Sequence, residues 1–288
     1  MCSPLACPSC HAPLDDRTTS RWRCALGHQF PVVLGAARLL DAADPNRDER
    51  VAADFERLYQ VDAEPWHYTR RGAEILKYRF LLDAVRGLCG GSLRGRVVID
   101  VGCSLGGLAI ALAGAGANVL AIDLSETAVR RAQAAFAESG GRGLATFAVG
   151  SATRLPCAPG AADVIVLSDG LRTWKFNREQ RLACLESVAR VLRPNGAALF
   201  LDYMHPRHFR EFTDAIDQAP LRVARVHYLG DRLFYNVERA ARKTGLLQRK
   251  GFFNRLVASA RLARILAVVS GLLGSSGSKH LCVVAHRA

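Results

Sequence analysis

The most constraining feature of the sequence is an apolar run that passes through a glycine-rich turn and a helix into a second apolar run. Val97–Val101 is mostly β-branched, which predicts a buried parallel strand. Gly102 and Gly106 allow the backbone to turn sharply and to approach a ligand closely. Val119–Ile122 predicts a second strand, and Asp123 follows it about twenty residues after the glycines, where a carboxylate can bind both hydroxyls of a ribose. The pattern therefore predicts half of a nucleotide-binding site.

Later apolar runs continue the alternation of strands and helices. Ala145–Val149, Val164–Leu167 and Ala197–Leu201 predict strands. Leu182–Leu192 predicts a helix that is stopped by a turn at 194–196, where Pro, Asn and Gly follow one another. Strands alternating with helices predict a doubly wound, mostly parallel α/β sheet, and ligands bind such sheets at the carboxyl ends of the strands.

The glycine turn resembles the first motif of the class I S-adenosylmethionine-dependent methyltransferases. In that family the motif usually reads D-x-G-C-G-x-G, and here it runs from Asp100 to Gly106, with Ser104 where the family usually has Gly. Segments 123–133, 150–170 and 187–203 resemble later motifs in the family's order, so that the resemblance covers about residues 51–288. It implies a seven-stranded Rossmann-like methyltransferase fold and S-adenosylmethionine as the cofactor.

The same resemblance implies which residues bind the cofactor. In the family the position of Ser151 is often Asp, which contacts the adenine amine, so that this contact differs here. The implied cofactor-binding residues are Asp100, Gly102, Cys103, Ser104, Gly106, Asp123, Leu124, Ser151, Ala152 and Ser168.

Three of the nine cysteines and one histidine, all near the start, have the spacing of a metal site. Cys7, Cys10, Cys24 and His28 form the pattern C-x2-C-x13-C-x3-H, which can close a tetrahedron around zinc. The alternative is a head with free thiols. A segment of about 45 residues buries too little surface to fold alone, so we expect a structural zinc in a ribbon over residues 1–45. The head resembles that of bacterial 23S ribosomal RNA guanine-N1 methyltransferases and also small zinc-ribbon proteins that activate other methyltransferases.

Residues 46–95 are expected to form a helical cap that precedes the methyltransferase domain at 96–288. Segment 55–85 resembles the N-terminal helices of small-molecule methyltransferases through Pro65, Trp66, Tyr68, Glu74, Lys77 and Tyr78. In such enzymes this segment closes over the cofactor, which makes Tyr68 and Arg71 candidates for binding its methionine end. The alternative is an ordinary amphipathic helix packed on the sheet.

The charge of +13 is concentrated near the end of the sequence. Residues 239–288 contain ten Lys or Arg and no Asp or Glu, whereas residues 1–45 contain four basic and four acidic side chains. A neutral head is a poor electrostatic match for RNA, and the acid-free tract predicts an anionic partner.

An apolar and basic insertion at about 252–280 separates two predicted strands, Leu246–Phe252 and Leu281–Ala285. On a helix its residues Leu262, Ile265, Leu266 and Val269 share one face, and Arg261 and Arg264 lie away from it. Such a helix suits peripheral contact with an anionic membrane. Packing on the rest of the domain or on a dimer partner is the alternative, and RNA binding is a further one.

Residues that follow the fourth and fifth predicted strands are candidates for removing a proton from the methyl acceptor, and these are Asp169, Tyr203, His205 and His208. We expect His205 or Asp169 to have this role. His205 has a suitable unperturbed pKa, and Asp169 follows the fourth strand. Arg172, Trp174 and Lys175 are candidates for an acceptor pocket or lid, with a solvated loop as the alternative.

We therefore expect methyl transfer to a hydroxyl or amine of a hydrophobic small molecule or lipid-like acceptor. The alternatives are methylation of a ribosomal RNA base and a catalytically inactive methyltransferase-like binding subunit. The N-terminus contains no basic-then-apolar leader and no apolar run has the length of a membrane span, so we expect a cytoplasmic protein, with the membrane contact peripheral.

Overall fold

The computed structural model describes residues 4–18, 20–33, 35–41, 49–66, 70–171, 176–243 and 252–288. Seven strands form the centre of the molecule, because their apolar side chains are buried on both faces of one sheet. These strands are β5 (Val97–Val101), β6 (Asn118–Asp123), β7 (Leu144–Gly150), β8 (Ala162–Ser168), β9 (Leu192–Tyr203), β10 (Leu221–Tyr228) and β11 (His280–Arg287).

The order of these strands across the sheet is β7-β6-β5-β8-β9-β11-β10. Strands β5 to β9 are parallel to one another, and β11 lies antiparallel between β9 and β10. The chain order reverses between β5 and β8, which places a ligand crevice at their carboxyl ends. The predicted doubly wound, mostly parallel fold is confirmed.

A four-stranded ribbon continues this sheet at the β7 edge, so that the described residues form eleven strands rather than the predicted seven. The ribbon strands are β1 (Leu14–Arg17), β2 (Arg21–Cys24), β3 (Gln29–Val33) and β4 (Ala36–Leu39). Strand β4 pairs in parallel with β7 through Arg38 opposite Val149 and Leu39 opposite Gly150. The ribbon therefore shares the hydrophobic core of the main sheet.

Helices cover both faces of the sheet. The helices before β10 are α1 (Glu49–Val61), α2 (Gly72–Leu88), α3 (Gly107–Gly114), α4 (Glu126–Glu138), α5 (Arg178–Val191) and α6 (Phe209–Asp217). Leu81 of α2 and Leu112 of α3 pack on one face, whereas Val188 of α5 and Phe212 of α6 pack on the other. Between β10 and β11 lie α7 (Arg232–Lys243), α8 (Phe252–Ala258) and α9 (Ala260–Gly271).

Two element boundaries differ from the sequence prediction. Helix α5 begins at Arg178, because Asn177 and Gln180 form a capping box in front of the apolar pattern. The predicted turn at 194–196 lies inside β9, where the register against β8 shifts between Ala162 and Val164. A side chain at Gly196 would come within 2.9 Å of a neighbouring backbone oxygen, so glycine allows the strand to continue there.

The sequence predicts a strand at 246–252, and this prediction is wrong at Phe252, the one residue of that range that the structure describes. Residues 246–251 lie outside the described residues, and Phe252 begins helix α8. The strand that pairs with β11 is β10, which the sequence reading overlooked because Leu221–Tyr228 has polar residues throughout. Among the described helices, none combines the length and the apolar character needed to cross a bilayer.

Candidate active site

The turn after β5 lies against β6 and brings the ends of the two strands together. The N–H groups of Gly102 and Cys103 donate to the carbonyl oxygen of Ile122 at 2.8 and 3.0 Å. Gly102 has a φ of 75° and Ser104 a φ of 51°, so both residues are left-handed. Glycine adopts this region freely, whereas Ser104 does so only because its neighbours hold it there.

Asp123 at the end of β6 is held by two backbone donors. Its Oδ2 accepts from the N–H of Ser104 at 2.8 Å, and its Oδ1 accepts from the N–H of Ser125 at 2.9 Å. Burial raises the pKa of Asp123, although these N–H groups favour its ionised form. A carboxylate oxygen can accept more than one hydrogen bond, so the side chain can still bind a pair of ligand hydroxyls.

Gly106 lies where two neighbouring elements approach the backbone closely. Its φ is 77°, and a Cβ atom at this position would lie 2.9 Å from Cβ of Ala132 and 3.2 Å from the ring of Phe147. The residue therefore allows the first turn of α3 to approach α4 and β7 closely.

Side-chain hydrogen bonds connect helix α1 to the residues that follow β5 and β6. The hydroxyl of Tyr59 donates to Oγ of Ser104 at 2.7 Å, and the indole N–H of Trp66 donates to the hydroxyl oxygen of Tyr59 at 3.1 Å. Glu56 accepts from Oγ of Ser125 at 2.7 Å and also from the side chain of Thr127. Ser104, the departure from the family motif, is thus the contact between the turn and this helix.

A cavity of about 530 Å³ lies at the carboxyl ends of the strands, a volume typical of small-molecule sites. Eight of the predicted cofactor-binding and catalytic residues line it, which are Gly102, Ser104, Asp123, Leu124, Ser151, Ala152, Ser168 and Asp169. Ser151 is buried and shares a hydrogen bond of 2.8 Å with Thr153.

Three other predicted cofactor residues lie beneath the cavity, and the structure does not bring them to its described lining. These are Asp100, Cys103 and Gly106, which are all buried. Burial, together with the charge of Asp123, raises the pKa of Asp100 to about 7, and within the described part of the chain its Oδ2 atom has no hydrogen-bond partner. The role of these three residues in cofactor binding stays a prediction.

Asp169 lies at the far end of the cavity among ionised side chains. It has a φ of 56°, and its Oδ2 accepts from Nζ of Lys77 at 2.5 Å. Its Oδ1 accepts from the N–H of Tyr203 at 3.0 Å and lies 3.3 Å from Nε2 of His280. Burial would raise the pKa of Asp169, but the charges of Lys77 and His280 outweigh it and lower the pKa well below its usual range.

His280 connects Asp169 to a second carboxylate. Its Nδ1 atom is hydrogen-bonded to Oδ2 of Asp231, and the ring is only 2% exposed. Burial would lower the pKa of His280, but Asp231 and Asp169 outweigh it and raise the pKa to about 10. The imidazole is therefore a cation at neutral pH.

Lys77 extends the cluster toward α7. It lies 2.5 Å from Oε2 of Glu74, whose Oε1 accepts from the hydroxyl of Tyr235 at 2.7 Å. Burial would lower the pKa of Lys77, but Asp169 and Glu74 outweigh it and raise the pKa. Three carboxylates thus face one ammonium and one imidazolium, which leaves a net charge of minus one in the cluster.

His205 does not join this cluster. It is exposed in the short 3-10 turn Pro206–His208, where its ring accepts from the N–H of Arg207 at 3.3 Å, and it lies apart from the described lining of the cavity. A partial loss of hydration and the positive charge of Lys279 lower the pKa of His205. The structure therefore separates the two predicted catalytic residues and leaves Asp169 at the cavity.

Several residues of this charged cluster come from segments that the sequence pattern does not connect. His280 lies at the start of β11, Asp231 precedes α7, and Tyr235 is on α7. No local sequence motif contains them, because the helices between β10 and β11 separate them along the chain and only the folded structure brings them together. Of this cluster, the resemblance to small-molecule methyltransferases indicates only Glu74 and Lys77, and it does not indicate which residues they contact.

The other predicted lining residues have mixed outcomes. Arg71 lines the cavity, and its Nε atom lies 3.1 Å from Oε1 of Glu238. Tyr68, Arg172, Trp174 and Lys175 lie outside the described residues.

The metal-ligand atoms of Cys7, Cys10, Cys24 and His28 all lie within 4.8 Å of one another. The Sγ atoms of Cys10 and Cys24 are 3.7 Å apart, and Nδ1 of His28 is 3.4 Å from Sγ of Cys24 and 3.6 Å from Sγ of Cys7. A tetrahedral zinc with its usual bond lengths gives sulfur–sulfur edges of about 3.8 Å and sulfur–nitrogen edges of about 3.5 Å. The donor set fits zinc in number, chemistry and spacing.

Comparison with known families identifies the region that contains the glycine turn. A family model described as a methyltransferase domain matches residues 98–196. Residues 98–196 therefore carry a methyltransferase domain. This domain contains β5 to β8 and the start of β9, and thus the cavity residues from Gly102 to Asp169.

Known proteins with a similar methyltransferase domain include enzymes of quinone biosynthesis. The chain is 30% identical over 165 residues to a ubiquinone/menaquinone biosynthesis C-methyltransferase of Syntrophotalea carbinolica, covering 56% of this chain and 66% of that protein. It is 30% identical over 119 residues to a demethylmenaquinone methyltransferase of Lactococcus lactis, covering 40% of this chain and 45% of that protein. The chain spans about half the length of the first curated relatives it matches.

A solved structure supports the fold over a longer range. Magnesium protoporphyrin IX methyltransferase from Synechocystis, solved with bound S-adenosylhomocysteine, aligns with a TM-score of 0.54 at 16% identity. The alignment covers 84% of this chain and 100% of that chain. At this identity the likeness concerns the fold.

Proposed function

We propose that the protein transfers a methyl group from S-adenosylmethionine to an oxygen or nitrogen atom of an apolar small molecule. The observation that carries the proposal is one continuous cavity with two chemically different ends. The glycine turn and Asp123 lie at one end, and Asp169 lies at the other with its charged partners. A methyl donor and an acceptor can be held against each other in such a cavity.

The first end suits an adenosine. We assign the ribose hydroxyls to Asp123, the adenine to Leu124, Ser151 and Ala152, and the carboxylate of the methionine end to Arg71. The left-handed turn at Gly102 supports this assignment, since it leaves space beside the backbone where a side chain would intrude. When bound, the sulfonium of this cofactor supplies an electrophilic methyl group.

At the other end we assign Asp169 to the acceptor. Because Lys77 and His280 keep its carboxylate ionised, Asp169 can accept a hydrogen bond from an acceptor O–H or N–H group and orient the reacting lone pair. Its side chain is 29% exposed, whereas those of Lys77 and His280 are each 2% exposed. Asp169 is therefore the member of the cluster that can touch a substrate, and its two cations act through it as positioning residues.

The cavity walls favour an acceptor with an aromatic or other planar apolar part. Trp66, Phe176, Tyr203 and Tyr235 line the cavity. The rings of Tyr203 and Tyr235 meet edge to face at 5.2 Å between centroids. The relatives that are named for quinone biosynthesis support the same class of acceptor.

A labelling experiment tests this proposal. The purified protein is incubated with S-adenosylmethionine labelled in its methyl group and, in parallel, with total RNA or a lipid extract of the source organism. We expect label in a small molecule of the extract. Label only in RNA would establish the RNA-modifying alternative, and cofactor binding without any transfer would establish an inactive binding subunit.

We further infer that Cys7, Cys10, Cys24 and His28 hold a structural zinc ion. The spacing of the donor atoms supports this inference, and the ribbon lies too far along the sheet from Asp169 in the strand order for a part in the chemistry. We expect one zinc per chain by elemental analysis and none after Cys10→Ser. The matched variant Cys184→Ser, in a buried cysteine of α5, should keep its zinc. Equal metal contents in the two variants would contradict the site.

A further inference from the structure

The helical insertion between β10 and β11 leaves a row of aliphatic side chains in water. Ile265, Val268 and Val269 of α9 are 51% to 65% exposed, and Leu272 and Leu273, which follow the helix, are 83% and 67% exposed. These residues have the spacing i, i+3, i+4, i+7 and i+8 and therefore share one side of the helix. We call these five residues the α9 stripe.

The α9 stripe differs from the face predicted from the sequence. Leu266, which was predicted to share the outer face with Ile265, packs inward beside a small cluster formed by Ala73, Phe234 and Ala263. The exposed apolar face of α9 therefore includes Val268 instead of the predicted Leu266. One side of α9 packs on its own domain, which agrees with the alternative prediction, and the other side is open. Contact with a membrane stays a prediction.

The inner contacts fix α9 in place. Ser259 caps the helix by accepting from the N–H of Leu262, and the hydroxyl of Ser270 donates to the carbonyl oxygen of Gly277 at 2.6 Å. A side chain at Gly72 of α2 would clash with the backbone of Ser259 at 2.4 Å, which shows how closely the two helices approach. The α9 stripe thus projects from a helix that is already packed on α2 and α7.

The charged side chains that flank the α9 stripe along the sequence are all basic. Arg255, Arg261 and Arg264 are exposed just before it along the chain. Residues 239–288 contain no carboxylate side chain at all. A partner that covers this surface must therefore offer both an apolar region and anionic groups.

We propose that the α9 stripe docks on the surface of an anionic lipid bilayer. Hydrocarbon just below the headgroups would bury the aliphatic side chains, and lipid phosphates would pair with the arginines. A second copy of the chain fits poorly, because a two-fold contact would bring arginines of this acid-free tract together. A nucleic acid would be expected to contact exposed aromatic side chains among the basic ones, and the stripe contains none.

The docking surface is connected to the acceptor end of the cavity. Phe234 of α7 packs against Ala263 of α9, and the neighbouring Tyr235, Asn236 and Arg239 line the cavity. One helix therefore contacts both α9 and the place assigned to the acceptor. On the basis of the proposed function, the bilayer is the source from which an apolar acceptor reaches Asp169.

The test is co-sedimentation of the full chain with vesicles. One set contains phosphatidylcholine only, and a second set contains phosphatidylcholine with about one third phosphatidylglycerol. We expect binding to the anionic set alone, with at least a tenfold weaker partition when the salt concentration rises from about 50 to 500 mM. Equal binding to both sets, or binding to neither, would overturn the proposal.

Variants separate the two parts of the surface. Ile265→Asp, or Arg261→Glu with Arg264→Glu, should each reduce partition at least tenfold. The control is Leu182→Asp, which places the same charge at an exposed leucine on the opposite face of the sheet and should keep partition unchanged. Val268→Asp provides a second stripe variant, and thermal melting establishes that each variant is folded. Unchanged binding by both folded stripe variants would overturn the proposal.

Other occupants give distinct results. A dimer in vesicle-free sedimentation that Ile265→Asp dissolves, without vesicle binding, would identify a second copy. RNA binding that Ile265→Asp retains, again without vesicle binding, would identify a nucleic acid. Vesicle binding is measured without a methyl donor, so that a failure here leaves methyl transfer standing. Conversely, a protein that binds anionic vesicles but transfers no methyl group would support the membrane docking and contradict the proposed methyl transfer.

Discussion

The two ends of the cavity are built in opposite ways. At the cofactor end, Asp123 is held by backbone N–H groups of Ser104 and Ser125, which are close to it in the strand–turn–helix unit. At the acceptor end, Asp169 is held by side chains of Lys77 and His280, which lie on α2 and β11. A local motif positions the first carboxylate, and a network between distant segments positions the second.

This difference has a physical consequence for variation. Backbone donors remain when side chains change, so the cofactor end can tolerate Ser104 or Ser151 where the family usually has other residues. Each member of the acceptor network depends on a charged partner, because a buried charge that loses its partner is strongly destabilising. We therefore expect changes at the acceptor end to affect catalysis and stability together.

The largest effect is expected from Asp169→Asn. The amide keeps the shape of the side chain but removes the charge that orients the acceptor, and turnover should fall by about a hundredfold or more. Binding of S-adenosylmethionine, measured by calorimetry, should change little. His205→Ala is the matched control, since it removes the other predicted proton acceptor from an exposed position. Loss of turnover in the His205 variant but not in the Asp169 variant would reverse the two roles.

The next effect concerns the cofactor end. Asp123→Ala should weaken S-adenosylmethionine binding by about 1.5–3 kcal/mol, the range for hydrogen bonds to charged groups. This corresponds to about a tenfold to a hundredfold rise in the dissociation constant. Asp83→Ala, an exposed carboxylate on α2, serves as the control. An unchanged affinity in calorimetry would remove the cofactor assignment.

The pH dependence of stability tests the acceptor network. The folded pKa of His280 is about 10, whereas an unfolded histidine titrates near its ordinary pKa of 6.5. The stabilisation from its positive charge is therefore fully present below about pH 6.5 and is lost as the pH rises toward 10. The melting temperatures of the wild type and His280→Gln should converge over this range. A difference that stays constant from pH 6 to 10 would show that His280 is not held as a cation.

The smallest effect is expected from Ser104→Gly. Glycine removes a left-handed strain of about 1–2 kcal/mol, but it also removes the hydrogen bond from Tyr59, which contributes about 1 kcal/mol. The free energy of unfolding should therefore change by less than about 1 kcal/mol. Chemical denaturation measures this change, and Tyr59→Phe isolates the hydrogen bond. A loss much above 1 kcal/mol in Ser104→Gly alone would show that the contact with α1 dominates.

The contrast between the two ends also explains what could be predicted from the sequence. Strands β5 and β6, the turn at Gly102 and the position of Asp123 follow from local periodicity and glycine placement. Asp169 could be found because ligands lie at strand ends in such sheets. His280 could not be found, because its role depends on the antiparallel insertion of β11 between β9 and β10. His205 has the more suitable intrinsic chemistry, but it is exposed beside the short turn after β9 and is not among the described residues that line the cavity.

The ribbon strand β4 has a further consequence, which concerns what happens when metal is withdrawn. Without the pairing of Arg38 and Leu39 with Val149 and Gly150, β7 would be the outermost strand of an apolar sheet. A bare strand edge offers unpaired N–H and C=O groups to other chains and promotes aggregation. If zinc holds the ribbon together, removing it with a chelator should expose the edge of β7. The first measurable change should then be aggregation, seen as an increase in light scattering. The N-terminal ribbon then covers the edge of the sheet and prevents edge-to-edge association, and the zinc ion keeps the ribbon folded.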